Sequence, residues 1–150
     1  MRAPPRLRDA GFRALNRFHR CVVRLSGGRL GRRAFGMDVI ELHTIGARTG
    51  LARTTLLTVP VRDGDTLIVV ASKGGDDRDP QWLRNLLARP EVDVTLAGVR
   101  RPMRARVAGP DEAALFWPRV VARYRPYDSY RRRSARPIPL VVLEPVVAES

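Results

Sequence analysis

Cysteine and histidine are nearly missing from this chain of 150 residues, which holds one cysteine, Cys21, and two histidines, His19 and His43. A lone cysteine excludes an internal disulfide, and two separated histidines give no zinc-type spacing, so metal chemistry is not expected. Long apolar runs are missing too. Nothing reaches the roughly 20 residues that a membrane-spanning helix needs, and the basic N-terminus lacks the continuous apolar stretch of a signal peptide. The expected location is the cytoplasm. Lysine is as scarce as cysteine: of 28 basic residues only Lys73 is lysine and the rest are arginine.

What is present in excess is positive charge, a formal +13. A field of that size attracts polyanions, leaving nucleic acid, an anionic membrane or a strongly anionic small molecule as partners. The signatures of nucleic-acid binding are absent: no paired Cys and His spacing and no aromatic-basic strand of the RNA-recognition type. The charge is also spread along the whole chain, as an arginine-rich solvated surface would be.

Residues 6–26 carry Leu7, Phe12, Leu15, Phe18, Val22 and Leu25 on one helical face and Arg13, Arg17, Arg20 and Arg24 on another. Such a basic amphipathic helix either packs on the domain or also rests on the anionic inner leaflet of the cell membrane, making the protein peripheral there. Ser26-Gly27-Gly28 ends it, and residues 1–36 are expected to form this helix and a linker, with the main domain at 37–150. From Asp38 the period becomes strand-like. Strands are expected at Asp38–Ile45, Arg53–Val61, Thr66–Ala71, about Val92–Leu96, about Met103–Val107 and Ile138–Leu143, with a hairpin turn at Arg62-Asp63-Gly64-Asp65. Helices are expected from Asp79 as N-cap and Pro80 to about Ala88, and over about Asp111–Tyr124. Short strands with few helices predict a mainly β protein (α+β) closed as an antiparallel barrel, since closure removes exposed edges.

Four segments hold the unusual chemistry. Thr44-Ile45-Gly46-Ala47-Arg48-Thr49-Gly50, followed by Arg53, sets hydroxyls and guanidinium groups between glycines, as a loop gripping phosphate or carboxylate would. Ser72-Lys73-Gly74-Gly75 follows an apolar run; it is either a backbone cradle with a point charge beside it or an ordinary surface hairpin. Gln81 and Asn85 share one face at a helix start, while Trp82 on the same turn suits the core better than a ligand platform. Tyr124, Tyr127 and Tyr130 are all the tyrosines of the chain. Their spacing keeps the hydroxyls on one side, although Pro126 divides the segment; they either line a cofactor ring or cover the barrel with hydroxyls in water.

In order and spacing these segments resemble the deazaflavin (coenzyme F-420)-dependent nitroreductases of actinobacteria. The resemblance spans residues 12–145. It rests on Ser26-Gly27-Gly28 with Leu30-Gly31, the Thr44 to Gly50 loop with Arg53, Ala71-Ser72-Lys73-Gly74-Gly75, Pro80-x-Trp82-x-x-Asn85-Leu86, Ala88-Arg89-Pro90-Glu91-Val92, the spaced tyrosines and Ile138-Pro139-Leu140-Val141-Val142. It implies a split β-barrel like that of FMN-binding pyridoxamine-phosphate oxidases, with an 8-hydroxy-5-deazaflavin in a basic groove. By carry-over, Arg48, Thr49, Gly50, Arg53, Lys73 and Gly74 hold the anionic tail. Ser72, Gln81, Trp82 and Asn85 lie near the ring or its ribityl chain, and the tyrosines line the substrate side. Ala47 and Thr58 depart from the family, which often has a basic residue and a tyrosine there.

The implied activity is oxidoreduction: hydride transfer from reduced coenzyme F-420 to a quinone or nitroaromatic acceptor. The chain then need only bind, orient and exclude water. Tyr130, Tyr127, Tyr124, Ser72 or water would deliver the proton, with Tyr130 expected to contribute most. The rival readings are an FMN-dependent reductase of the same fold, a non-catalytic deazaflavin carrier, and a nucleic-acid-binding barrel, which is not expected. The protein is expected to be a monomer or a homodimer.

Overall fold

Pro60 decides how the sheet closes. Strands β3 (Ala52–Val59) and β4 (Val61–Asp63) are separated by this one buried residue, yet they lie at opposite edges of the sheet. Proline has no N–H to give to a ladder, so the run expected over Arg53–Val61 breaks there and turns from one edge to the other. The remaining elements are β1 (Arg33–Ala34), β2 (Met37–Ile45), β5 (Thr66–Val70), α1 (Gln81–Ala88), β6 (Glu91–Leu96), β7 (Val99–Val107), α2 (Pro110–Arg123), α3 (Pro126–Arg133) and β8 (Leu140–Pro145). The computed structural model describes residues 33–72 and 79–146. The expected helix at 6–26, the linker to residue 32, and Lys73, Gly74 and Gly75 lie outside the described residues.

All pairings are antiparallel, in the order β1-β2-β6-β7-β8-β5-β4, with β3 also on β2. Among the described residues eight strands form where about six were expected, because Pro60 splits one and Arg33–Ala34 adds a short one. The expected domain boundary after residue 36 falls inside the β1–β2 hairpin. There Ala34 pairs with Met37 across Phe35 and Gly36, both at positive φ (54° and 77°). The β6–β7 connection repeats the device with Ala97 and Gly98 at 52° and 80°, the mirror-image turn that matches strand twist.

Alternation sorts the side chains to two faces. Inside the curl, Ile40, Leu42, Val69, Val92, Val94, Met103, Ala105 and Leu143 form one core, capped by Trp82, Leu83 and Leu86 of α1. Outside, Ile68, Val70, Leu140 and Val142 meet Val120 of α2 and Tyr127 of α3 in a second. The same strands β5 and β8 feed both cores, which is why they read as unbroken apolar runs. Asp79 does not cap α1 as expected: Pro80 takes the N-cap position without a side-chain bond, and the Asp79 carboxylate pairs instead with Arg136 at 3.1 Å.

Candidate active site

The loop after β2 is closed by its own backbone. Gly46 N–H donates to Leu51 O at 2.8 Å and Gly50 N–H to Gly46 O at 2.9 Å. Glycine is needed at 46 because a Cβ there would stand 2.5 Å from Thr49 Oγ1, and Gly50 turns the chain at φ 68°. Arg48, Thr49 and Gly50 are exposed at the tip.

Helix α1 pins this loop from inside. Asn85, only 1% exposed, accepts the Ala47 N–H on Oδ1 at 3.0 Å and donates through Nδ2 to Thr44 Oγ1 at 3.1 Å. Gln81 Nε2 donates to the same Oδ1 at 3.1 Å. A buried carboxamide with both ends satisfied fixes its neighbours strongly, since leaving either end open costs the full desolvation of that group. Arg53 stands opposite Thr44 in the β2–β3 ladder and so projects from the face that α1 covers.

Charge at this end is uncommitted. Among the described residues Arg48, Arg53, Arg84 of α1 and Arg89 at its C-cap have no ion pair and no side-chain hydrogen bond, whereas Arg100, Arg106 and Arg119 sit on Asp93, Glu112 and Asp63. Unpaired guanidinium groups gathered at one rim suit an incoming anion. The Arg106 pairing also holds the Glu112 carboxyl below its ordinary range, chiefly through the side-chain hydrogen bond.

The tyrosines form a ladder on the outer core. Ring centroids step 5.2 Å from Tyr124 to Tyr127 and 6.1 Å on to Tyr130, both edge-on. The expected break at Pro126 separates α2 from α3, with Tyr124 as the C-cap of α2. Tyr127, 6% exposed, shares a 2.6 Å hydrogen bond between its hydroxyl and Thr58 Oγ1. Burial first pushes the Tyr124 and Tyr127 phenols above their ordinary range, outweighing the lowering by the Thr58 hydrogen bond at Tyr127, and the neighbouring tyrosines add to it, so both stay protonated at neutral pH. Phe35 extends the ladder, with its ring 5.0 Å from Tyr124 and 72% exposed on a strained positive-φ backbone. Sequence reasoning missed it, because the stretch ending at Gly36 reads as a glycine- and arginine-rich linker.

Ser72, buried at the end of β5, lies beside the segment that follows Tyr130. Arg136 Nη2 donates to the Ala71 carbonyl at 2.8 Å and the Ser72 carbonyl at 3.4 Å, while Nη1 pairs with Asp79. Arg136 is a second residue the sequence reading passed over, since one arginine among many carries no local signal. It ties the Ser72 turn and the tyrosine segment to the entry of α1, which holds the arginine loop.

The structure therefore brings Arg48, Thr49, Gly50, Arg53, Gln81 and Asn85 together, and separately Tyr124, Tyr127 and Tyr130, with Ser72 linked to the segment after them through Arg136. Trp82 sends its indole into the barrel core, and Lys73 and Gly74 lie outside the described residues. Arg53 and Thr58 are five positions apart on β3, roughly 17 Å at strand rise, and they leave opposite faces. One ligand reaching both groups has to be elongated, with an anionic end at the arginines and an apolar end at the tyrosines. A deazaflavin with an anionic tail meets that description, and the donor set fits it.

The family model for F420H(2)-dependent quinone reductase matches residues 15–145. A protein of Mycobacterium tuberculosis named F420H(2)-dependent quinone reductase is 41% identical over 140 residues, covering 91% of this chain and 93% of the relative. Among solved structures, one described as an F420-H2 dependent reductase aligns with a TM-score of 0.64 at 33% identity, over 71% of this chain and 93% of its own. Another, described as a domain-swapped dimer, aligns with the same score and identity over 71% and 79%. The chain belongs to the F420H(2)-dependent quinone reductase family.

Proposed function

We propose that this chain binds reduced coenzyme F-420 between its arginine loop and its tyrosine ladder and passes a hydride to a quinone or nitroaromatic acceptor. The observation that carries this is the set of uncommitted guanidinium groups, Arg48 and Arg53 foremost, on a loop made rigid by Asn85. The deazaflavin, once bound, supplies a two-electron hydride donor. Arg48, Thr49, Gly50 and Arg53 hold its anionic tail, with Lys73 and Gly74 joining them on sequence grounds. Ser72, Gln81 and Asn85 stand near the ribityl chain. The tyrosine ladder forms an apolar wall that excludes water, and Tyr130 holds the proton that the reduced acceptor takes up.

Membership of a family named for quinone reduction supports the quinone acceptor. The basic stretch at 6–26 would bring the protein to the inner leaflet, where quinones dissolve. No helix among the described residues is long and apolar enough to cross a membrane. The structural relative described as a domain-swapped dimer supports a homodimer, which light scattering tests.

The test is a titration with coenzyme F-420 beside FMN, then mixing of the reduced deazaflavin with menadione and with a nitroarene. Each of Arg48→Ala and Arg53→Ala is expected to weaken F-420 binding about tenfold, and the carboxylate-paired control Arg100→Ala to leave it unchanged. Unaltered affinity in both loop variants would overturn the reading. Tight binding without turnover would make the chain a carrier, and preference for FMN would change the cofactor.

A further inference from the structure

At the barrel end remote from Arg48, the interior opens as a cavity of about 450 Å³. Leu96 pairs with Ile40 near the start of β2, whereas the arginine loop follows its far end and the tyrosine ladder packs on the outer core, so this opening is not the site described above. Its walls are Leu67, Val94, Leu96, Val99 and Met103, inward positions of β5, β6 and β7. The volume lies within the roughly 300–1,000 Å³ of small-molecule pockets.

One cation interrupts this apolar lining. Arg101 lies opposite Val94 in the β6–β7 ladder, between Val99 and the buried Met103 in the alternation. Its side chain therefore leaves the interior face of β7. Its neighbours Arg100 and Arg104 leave the outer face and pair there with Asp93 and Glu91. Among the described residues Arg101 has neither ion pair nor side-chain hydrogen bond. Two other charged residues reach the rim from the β4–β5 hairpin. Arg62 is engaged by Asp38 at 3.7 Å and the Gly64 carbonyl at 3.1 Å. Asp65 repels an anion from its own side and so directs an acidic head towards Arg101.

We propose that this chamber is a second binding site, taking an amphiphilic monoanion of the fatty-carboxylate class, with its apolar body among Val94, Leu96 and Met103 and its head on Arg101. Burial of the chain removes apolar surface from water, and the guanidinium fork offers a carboxylate two parallel donors.

The full-length protein is titrated with dodecanoate, with dodecan-1-ol and with the fluorescent probe anilinonaphthalene sulfonate, while the Met103 methyl resonance is followed by NMR. Saturable probe fluorescence, displacement by dodecanoate and a shifted Met103 methyl signal are expected, with dodecan-1-ol binding about tenfold more weakly. Arg101→Gln is expected to weaken dodecanoate about tenfold and dodecan-1-ol hardly at all, at an unchanged melting temperature. Leu96→Trp should block both. Non-saturable probe uptake, equal dodecanoate affinity in Arg101→Gln, or displacement of the probe by coenzyme F-420 would each overturn the proposal; the last would place the probe in the cofactor site.

Discussion

Asn85 Nδ2 donates to Thr44 Oγ1 at 3.1 Å across 41 positions of sequence, with both side chains buried. Its Oδ1 accepts from Ala47 and Gln81. The shape of the arginine loop thus depends on a helix that carries none of its residues.

Asn85→Ala removes all these bonds and leaves the Thr44 hydroxyl and the Ala47 N–H without their partner. A stability loss of about 2–3 kcal/mol is expected, together with F-420 affinity weakened about tenfold. Denaturant unfolding and cofactor titration check the two effects. A variant that unfolds more readily yet binds normally would show that the loop keeps its shape alone.

Tyr127 and Tyr130 should separate by role. The Tyr127 hydroxyl is committed to Thr58 at 2.6 Å, so Tyr127→Phe is expected to cost about 1 kcal/mol of stability with turnover largely retained. Tyr130→Phe, which removes the proposed acid, is expected to lower kcat by about 10²-fold. Denaturant unfolding reads the first effect and steady-state turnover with menadione the second, and equal kcat in wild type and Tyr130→Phe would remove the role.

His43 gives the fold a pH dependence. Its ring joins Thr54 Oγ1 at 3.1 Å and Thr95 Oγ1 at 2.8 Å. Burial first, then Arg100, lower its pKa below 6.5. The unfolded chain therefore takes up this proton before the native one, and stability present above pH 6.5 is lost as the pH falls through that value. Melting temperatures between about pH 7.5 and about pH 5.5 are expected to drop further for wild type than for His43→Gln. Parallel curves would show that His43 does not titrate differently on folding.

Ala97 holds φ 52° in the β6–β7 turn, beside Gly98 at 80°. A Cβ in that region is disfavoured by roughly 1 kcal/mol, so Ala97→Gly is expected to raise stability by several tenths of a kcal/mol once the added freedom of the unfolded chain is deducted. Chemical denaturation reads it, and a lower midpoint with the same slope would mean that unfolded-state entropy outweighs the relieved strain.

Several features were legible in the residues themselves. Alternation of Val92, Val94 and Leu96 with Asp93 and Thr95 marked β6, Gly64 marked the β4–β5 turn, and Pro126 marked the division of the tyrosine segment. Elsewhere local signals misled. Asp79 reads as a helix cap until Arg136, distant in sequence, claims its carboxylate. Arg53–Val61 reads as one strand until Pro60 is seen to turn it between sheet edges. Phe35 carried no sign of the positive φ that sets its ring on Tyr124.

By itself the sequence determined the strands, the glycine turns and the ordered motifs of the loop, because period-two alternation and turn preference act between near neighbours. It could not show which of its many arginines remain uncommitted. That was decided by strand register and helix docking, which carry Arg100 to Asp93 and Arg106 to Glu112 but leave Arg48, Arg53 and Arg101 without a carboxylate partner among the described residues. A guanidinium is a binding group only when no carboxylate lies within its reach, and that distance exists only in the folded chain.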